Sequence, residues 1–374
     1  MSNRIRVLWL VKGLSPGGAE KLLVWMARVG DHSRFDYEVA YVQAAHNKLV
    51  PKLAELDVPA RCLNGGVEYD LRWARRLRQL LIEGRYDVVH VHSPYVAGVA
   101  RLVVRTLPRH QRPALITTEH NMWSSYQWPT RLLNALTYGL DRHRFAVSSE
   151  VRRGIWPVYR RDVEVLVQGF VISDVPELGQ TGAIRAELGL APDEVLLVTV
   201  AHLRAAKDYP GLLRAVRMLL DDGYPVQLAA AGSGPLSSDI AALRDELGLA
   251  GKVHLLGHRD DIFALLRESD VYVMASRLEG YPIALMEAMV CGCAIVATAV
   301  GGAPDAVRTG IDGLLVRPGR PRELADSLAA LVTNPDYRSA LGRAAIERST
   351  MFDISRPTTR TEEVYAAITQ HGFG

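Results

Sequence analysis

Val271-Tyr272-Val273-Met274-Ala275-Ser276-Arg277-Leu278-Glu279-Gly280-Tyr281-Pro282-Ile283-Ala284-Leu285-Met286-Glu287-Ala288-Met289 is the stretch that decides how this chain folds. Its opening apolar run, Val271–Met274, predicts a strand buried on both faces. A glycine loop follows, and a helix begins near Ile283. Strand, loop and helix in that order form half of a βαβ unit, and ligands of such sheets bind outside the strand C-terminal ends. Glu279 stands in that loop and Glu287 one turn into the helix. A carboxylate takes two hydrogen bonds from neighbouring hydroxyls because its two oxygens match a vicinal diol. Two such acids can hold two different sugars, for example a ribose and a transferred hexose. Each glutamate alone also reads as a helix cap or a surface acid. The apolar company of Leu285, Met286, Ala288 and Met289 favours the binding role.

The same alternation extends in both directions. Upstream, strands are predicted at Ile5–Val11, Tyr37–Val42, Val88–His92, Ala114–Thr118, Arg144–Val147 and Val163–Val167. Helical patterns at Ala19–Val29, Leu71–Glu83, Tyr95–Thr106 and Thr130–Leu140 lie between them. Around Ser173–Thr181 the apolar character fades into Asp, Pro, Gly and Gln, which marks a linker. Strands then resume at Val195–Ala201, Gln227–Ala231, Val253–Leu256, Val271–Met274 and Ala294–Ala297. Helices Tyr209–Leu220, Ser237–Leu247, Ile262–Glu268 and Ile283–Val290 separate them, and further helices follow near Arg322–Thr333, Pro335–Arg348 and Ile354–Thr369. The expected fold is α/β: two Rossmann-like, doubly wound parallel-sheet domains, 1–172 and 173–352, facing a central cleft, with residues 353–374 as a closing helix.

At 374 residues the chain is long for one core. With 48% hydrophobic and 23% charged residues, it has a globular balance. No apolar run is long enough to span a bilayer, and Arg4 and Arg6 lead straight into Val7–Val11 without a leader pattern. Three cysteines, Cys62, Cys291 and Cys293, make no disulfide framework and fit a reducing cytosol. Cys291 and Cys293 read as small buried residues. Charge is uneven: residues 1–172 hold 25 Lys+Arg against 15 Asp+Glu, a balance of +10, and the remainder holds 19 against 26, a balance of −7. The basic half points to an anionic partner, either a phosphorylated acceptor or an anionic membrane face, with the chain expected in the cytoplasm or peripheral at the inner face of the membrane. No nucleic-acid-binding motif accompanies it.

Other motifs also fall at strand ends. Gly13-Leu14-Ser15-Pro16-Gly17-Gly18-Ala19-Glu20 opens a helix, where glycine N–H groups and the helix N-terminus suit an anion; a plain tight turn is the alternative. Arg204 and Lys207, three apart after Val195–Ala201, are suited to a diphosphate, by a bidentate guanidinium and a point charge. Gly232-Ser233-Gly234-Pro235 reads as a structural turn lining the cleft. Ala299-Val300-Gly301-Gly302-Ala303-Pro304-Asp305 offers a second N–H nest. His120 closes the strand in Thr117-Thr118-Glu119-His120-Asn121 and is expected to face the cleft. His90 and His92 share one strand face and read as packing or cleft lining, since no third metal ligand accompanies them. Trp123, Tyr126 and Trp128 follow Asn121 and are candidates for stacking on sugar rings, with core packing as the alternative. Leu71–Glu83 combines Arg72, Arg75, Arg76 and Arg78 with Trp73, Leu77, Leu80 and Leu81. It reads as a βαβ helix with a charged outer face, or else as a membrane-surface helix.

Taken together, these residues resemble the retaining family 4 glycosyltransferases of the GT-B fold. The resemblance runs through Gly17-Gly18-Ala19-Glu20, Asp87-Val88-Val89-His90-Val91-His92, Thr118-Glu119-His120, Ala146-Val147-Ser148, Arg204 with Lys207, Gly232-Ser233-Gly234-Pro235, and the E-x7-E pattern from Glu279 to Glu287. It implies an N-terminal acceptor domain and a C-terminal donor domain binding a nucleoside-diphosphate sugar, with the last helix crossing back to the first domain. It also implies catalytic roles for Glu279, Arg204, Lys207 and His120. Glu287, Gly17, Gly18, Gly280, Tyr281, Pro282, Gly232 and Gly301 would be donor-binding, with Glu287 on the ribose. Asn121, Trp123 and Tyr126 stand on the acceptor side, toward a glycan, lipid-linked or small-molecule acceptor. The chain departs from the family at His202, where glycine is usual, at Asp208-Tyr209 after Lys207, and at Val167-Gln168-Gly169-Phe170 before the linker. These changes reshape the donor loop.

No Asp-x-Asp triplet occurs, so no metal or other cofactor is expected; the two cations and the glycine N–H groups would neutralise the diphosphate. Retention without a visible enzymic nucleophile points to front-face attack with the leaving phosphate as base. A nicotinamide dehydrogenase fits poorly, because Gly13…Gly17-Gly18 is not G-x-G-x-x-G and strand Tyr37–Val42 ends in Gln43. A sugar-nucleotide epimerase and a non-catalytic sugar-nucleotide binder are the remaining alternatives.

Overall fold

The period-two burial of the first strand sets the architecture. In β1 (Ile5–Val11), Val7, Trp9 and Val11 enter one apolar cluster while Leu8 and Leu10 enter another. A strand apolar on both faces needs cover on both faces, and the sheet has it. The computed structural model describes residues 4–15, 17–66, 70–176 and 181–370. They divide into two units, Met1–Val171 with Asp353–Gly374, and Ile172–Phe352.

The first unit adds β2 (Phe35–Gln43), β3 (Ala60–Gly65), β4 (Val88–Val91), β5 (Ala114–Glu119), β6 (His143–Ala146) and β7 (Glu164–Val165). All pair in parallel, in the order β3-β2-β1-β4-β5-β6-β7. The second unit holds β8 (Val195–Val200), β9 (Val226–Ala231), β10 (Val253–Gly257), β11 (Val271–Met274), β12 (Ala294–Thr298) and β13 (Leu314–Val316). Its order is β10-β9-β8-β11-β12-β13, again parallel throughout. Strand order reverses between β1 and β4 in one sheet and between β8 and β11 in the other. Those are the topological switch points, where the loops leaving adjacent strands diverge and open a crevice.

The helix Ser355–Gln370 belongs to the first unit. Its Tyr365 is fully buried, and the Tyr365 hydroxyl accepts the Trp9 indole N–H at 3.1 Å. Glu362 on the same helix accepts the Asp31 backbone N–H at 2.7 Å and the Tyr37 hydroxyl at 2.5 Å.

Some elements differ from the sequence reading. β3 went unread because Ala60-Arg61-Cys62-Leu63-Asn64-Gly65 is a half-polar edge strand without an apolar run. The helix expected at Thr130–Leu140 runs Trp128–Thr137, with Pro129 in its first turn, and tightens into a 3-10 turn at Tyr138–Leu140. Of the segment read as a linker, residues 177–180 lie outside the described residues, as does Pro16 of the first glycine motif. The arginine-rich helix is Arg72–Gly84, and its Trp73, Leu77, Leu80 and Leu81 are buried in the core. Arg72 pairs with Asp70 at 3.0 Å, and Arg76 donates to the Leu63 and Asn64 carbonyls. Its apolar face is thus consumed internally, which corrects the membrane-surface alternative for this helix.

A buried ion pair locks the helices behind β5. Arg101 is fully buried and grips both Asp141 oxygens, Nε at 2.8 Å and Nη2 at 2.7 Å. It also donates to Asn134 Oδ1 at 2.7 Å and Thr117 Oγ1 at 3.0 Å. Arg101→Met leaves the Asp141 carboxylate buried and unpaired, and is expected to destabilise the first unit by about 3–5 kcal/mol. Chemical denaturation of the variant against wild type checks this.

Candidate functional site

At the switch point of the second sheet, the loops after β8 and β11 are tied by charge. Lys207 Nζ lies 2.5 Å from Glu279 Oε1, and the Ser276 hydroxyl donates to the same oxygen at 2.6 Å. Both contacts use Oε1. Arg277 Nε sits 2.9 Å from Asp208 Oδ2, and the Arg277 backbone N–H donates to the Ala206 carbonyl at 2.8 Å. Asp208 adopts the left-handed conformation (φ +47°) that turns the chain from Lys207 into helix Tyr209–Asp221, which it also caps through the Gly211 N–H. Lys207 and Glu279, expected to address a diphosphate and a sugar separately, therefore contact each other. The ammonium has two donors beyond the one on Glu279.

Arg204 is exposed just before this turn and makes no ion pair among the described residues. Its segment is braced from beneath by the Gly232 turn. The Leu203 N–H donates to the Ser233 carbonyl at 3.1 Å and the Leu236 N–H to the Leu203 carbonyl at 3.1 Å. At Gly232 (φ +141°) a Cβ would lie 2.0 Å from the Ala201 carbonyl oxygen, so only glycine fits.

Of the Gly301-Gly302 pair, read as a phosphate nest, one N–H is occupied within the protein. The Gly302 N–H donates to the Gly280 carbonyl at 2.8 Å, so it is already engaged. A Cβ on Gly301 (φ +59°) would stand 2.6 Å from the Glu279 carbonyl oxygen, and one on Gly302 would stand 2.1 Å from the Tyr281 ring. The pair is a flat backing against which the Glu279–Tyr281 loop rests. Burial raises the Tyr281 phenol above its ordinary range, and its hydroxyl has no hydrogen-bond partner among the described residues. Pro282 caps the helix Ile283–Val290, which carries the half-buried Glu287.

In the first unit, strand ends β4 and β5 assemble a column of imidazoles. His90 Nδ1 meets the Tyr365 hydroxyl at 2.6 Å, and Nε2 meets Thr118 Oγ1 at 2.7 Å. Tyr365 already accepts from Trp9, so satisfying every atom requires its O–H to donate to His90 Nδ1. His90 then carries its proton on Nε2. The His92 ring lies 4.2 Å from that of His90, tilted by 34°, and its Nδ1 lies 3.2 Å from His120 Nε2. His92 Nε2 is buried without a partner among the described residues. An orphan N–H is the rarer and costlier choice. We therefore assign the His92 proton to Nδ1, donating to His120, which makes His120 a neutral Nδ1–H donor. Burial depresses all three rings, His90 to about 3 and His120 to about 4, with His92 well below its ordinary value. In sequence His92 reads as packing or cleft lining; its one legible signal is its place, like His120, at a strand C-terminal end.

Other first-unit expectations fare unevenly. Glu20 folds back over the helix N-terminus, so that a Cβ on Gly17 would lie 2.4 Å from its carboxylate, and burial raises its pKa. Gly17 and Gly18 thus open helix Gly18–Val29 under an internal acid in place of an open anion nest. Trp123 is buried, edge-on to Tyr138 at 5.0 Å, which corrects its expected role as a stacking surface. Tyr126 donates to Glu119 Oε2 at 2.7 Å and lies 2.8 Å from the exposed Asn121's carbonyl. Trp128 is 71% exposed.

Comparison with known proteins places these features among relatives. The family model described as Glycosyltransferase Family 4 matches residues 16–170, and that described as Glycosyl transferases group 1 matches 180–348. The D-inositol 3-phosphate glycosyltransferase of Mycobacterium avium is 30% identical over 289 residues, covering 74% of this chain and 68% of that one. Its counterpart from Actinosynnema mirum is 34% identical over 191 residues, 48% of this chain and 46% of its own. The chain spans between 46% and 68% of the length of the D-inositol 3-phosphate glycosyltransferases of Actinosynnema mirum, Mycobacterium sp. and Mycobacterium avium. Among solved structures, Anabaena Alr3699/HepE in complex with UDP-glucose superposes with a TM-score of 0.83 at 20% identity, over 97% of this chain and all of the other.

The histidine column predicts a pH dependence. Folded pKa values below the unfolded 6.5 mean that the unfolded chain binds more protons, so stability is present above pH 6.5 and is lost as pH falls toward 4 and 3. Each ring contributes up to about 1.4 kcal/mol per pH unit across that window. Denaturation midpoints from pH 7 to about 4, with His90→Gln and His92→Gln reducing the slope, check this.

Proposed function

We propose, from the premise that the chain belongs to the family 4 glycosyltransferases of the GT-B fold, that it transfers a sugar from a nucleoside-diphosphate donor to a hydroxyl of a glycan, lipid-linked or small-molecule acceptor with retention of configuration. The observation that carries the reading is the Lys207–Glu279–Ser276 cluster at the second sheet's switch point, with Arg204 presented beside it. A cation pair and a carboxylate there answer the two halves of such a donor. Arg204 and Lys207 offset the charge that develops on the departing diphosphate. Glu279 accepts from hydroxyls of the transferred sugar, and Glu287 from those of the ribose. His120, neutral and protonated on Nδ1, donates to a sugar oxygen.

In the transfer, the bond from the anomeric carbon to the diphosphate oxygen breaks and a bond to the acceptor oxygen forms on the same face. The acceptor's proton passes to the leaving phosphate oxygen. No step calls for a metal, since the two cations act where a divalent ion would. With every cysteine free, the chain suits a reducing compartment such as the cytoplasm. Among the described residues, no helix is long and apolar enough to cross a membrane.

The first test is a thermal-shift screen of UDP-, GDP- and ADP-sugars, with a stabilising hit expected from one nucleotide class. With that donor, Glu287→Ala is expected to raise KM about tenfold or more. Arg204→Ala with Lys207→Ala is expected to lower kcat by roughly 10²–10³. Kinetics unchanged in both variants would remove the site.

A further inference from the structure

Helix Trp128–Thr137 turns apolar side chains outward. Trp128, Leu132 and Leu136 recur every fourth residue, so they share one stripe, and they are 71%, 47% and 74% exposed. The opposite face is already packed, with Asn134 and Ala135 buried. The short helix Pro157–Arg160 lies alongside: the Tyr159 hydroxyl donates to the Ala135 carbonyl at 2.9 Å, and its ring sits 5.3 Å from that of Tyr138. That contact brings in Val158, 72% exposed, and Trp156, 46% exposed. Five of the nine large apolar side chains exposed among the described residues therefore fall within residues 128–158. Isolated exposed apolar residues need no explanation, but a concentration of this kind marks an interaction surface.

The charges around the stripe identify the partner. No Asp or Glu occurs from residue 121 to residue 140. Arg131, Arg152 and Arg153 are exposed and make no ion pair with the described residues. Protein interfaces also use tryptophan and arginine, so the discriminating observation is that the charge along this segment is of one sign. Here Arg131 falls between Trp128 and Leu132 on the same helix, in the half of the sequence with a +10 balance. That is the chemistry of an anionic lipid surface, with apolar groups entering the headgroup–acyl boundary and guanidinium groups on phosphates. We propose that this face seats the first unit on an anionic bilayer. The more obvious arginine-rich helix, Arg72–Gly84, does not serve, because its apolar residues are buried. Seating through Trp128 brings the preceding His120–Asn121 segment close to the bilayer, which fits a lipid-linked acceptor. That last step rests on the proposed function; the surface itself does not.

The test is co-sedimentation of the full chain with vesicles of phosphatidylcholine alone or with about one third phosphatidylglycerol. Binding is expected to the anionic vesicles, with a blue shift of tryptophan emission. Trp128→Ala with Leu136→Ala is expected to weaken it at least about tenfold. Arg152→Glu with Arg153→Glu is expected to weaken it about tenfold and to flatten its salt dependence. These side chains are exposed, so thermal midpoints and any nucleotide-sugar thermal shift should stay at wild-type values in both variants. That shift reports on the proposed function separately, whatever the vesicles show. The inference is overturned if wild type stays in the supernatant with anionic vesicles, if both variants bind as tightly as wild type, or if sedimentation velocity reveals a dimer that the same variants dissolve.

Discussion

The ammonium of Lys207 resting on the carboxylate of Glu279 is the contact around which the second unit's ligand end is arranged. β8 and β11 are neighbours, but their onward connections run to opposite sides, so the loops leaving them would splay apart without a tie. The tie is made by charge within a partly buried pocket, where attraction is less screened than at an open surface. Everything nearby serves the registration of those two loops. Asp208 takes a backbone conformation that non-glycine residues rarely adopt, and its carboxylate is held by Arg277 from the other loop. The Thr298 hydroxyl donates to the Ser276 carbonyl, which extends the bracing to β12. The Gly232 turn and the Gly301-Gly302 pair press on the loops from behind at distances no side chain allows.

The two sheets share one strand order but finish their ligand ends with different chemistry. The second presents fixed charges of both signs. The first presents neutral imidazoles, held neutral by burial and wired in sequence from Tyr365 through His90 to Thr118, and from His92 to His120. Neutral donors orient a hydroxylated ligand without attracting stray anions, whereas paired charges answer a ligand that is itself charged.

Much of this was legible in the residues, for definite reasons. Continuous apolar runs such as Val195–Val198 and Val271–Met274 announce two-sided burial, so both parallel sheets could be read from alternation alone. The positions of Glu279, Lys207 and His120 at strand ends followed from the same pattern. β3 escaped because an edge strand of mixed polarity has no periodic signature. Trp123 stayed open between stacking and core packing because an aromatic ring near a site and an aromatic ring in the core look identical in sequence; only the Tyr138 and Trp156 rings around it decide. The turns at Gly17 and Gly302 were read as open nests because glycine-rich turns advertise free N–H groups, while the partner that occupies the position, an acid one turn on or a carbonyl from another loop, is a matter of tertiary packing. The Lys207–Glu279 contact spans loops 72 residues apart, and no local pattern reveals such a pairing.

The return of helix Ser355–Gln370 to the first sheet has a consequence for biosynthesis. During synthesis the first sheet leaves the ribosome well before the helix that completes its interior, because the whole second unit, Ile172–Phe352, is translated in between. Until that helix arrives, the Trp9 indole and the His90 ring lack Tyr365, and the Tyr37 hydroxyl and Asp31 amide lack Glu362. The N-terminal half is made first but finished last, so its nascent form spends elongation with an open apolar flank that chaperones or the growing chain itself must shelter.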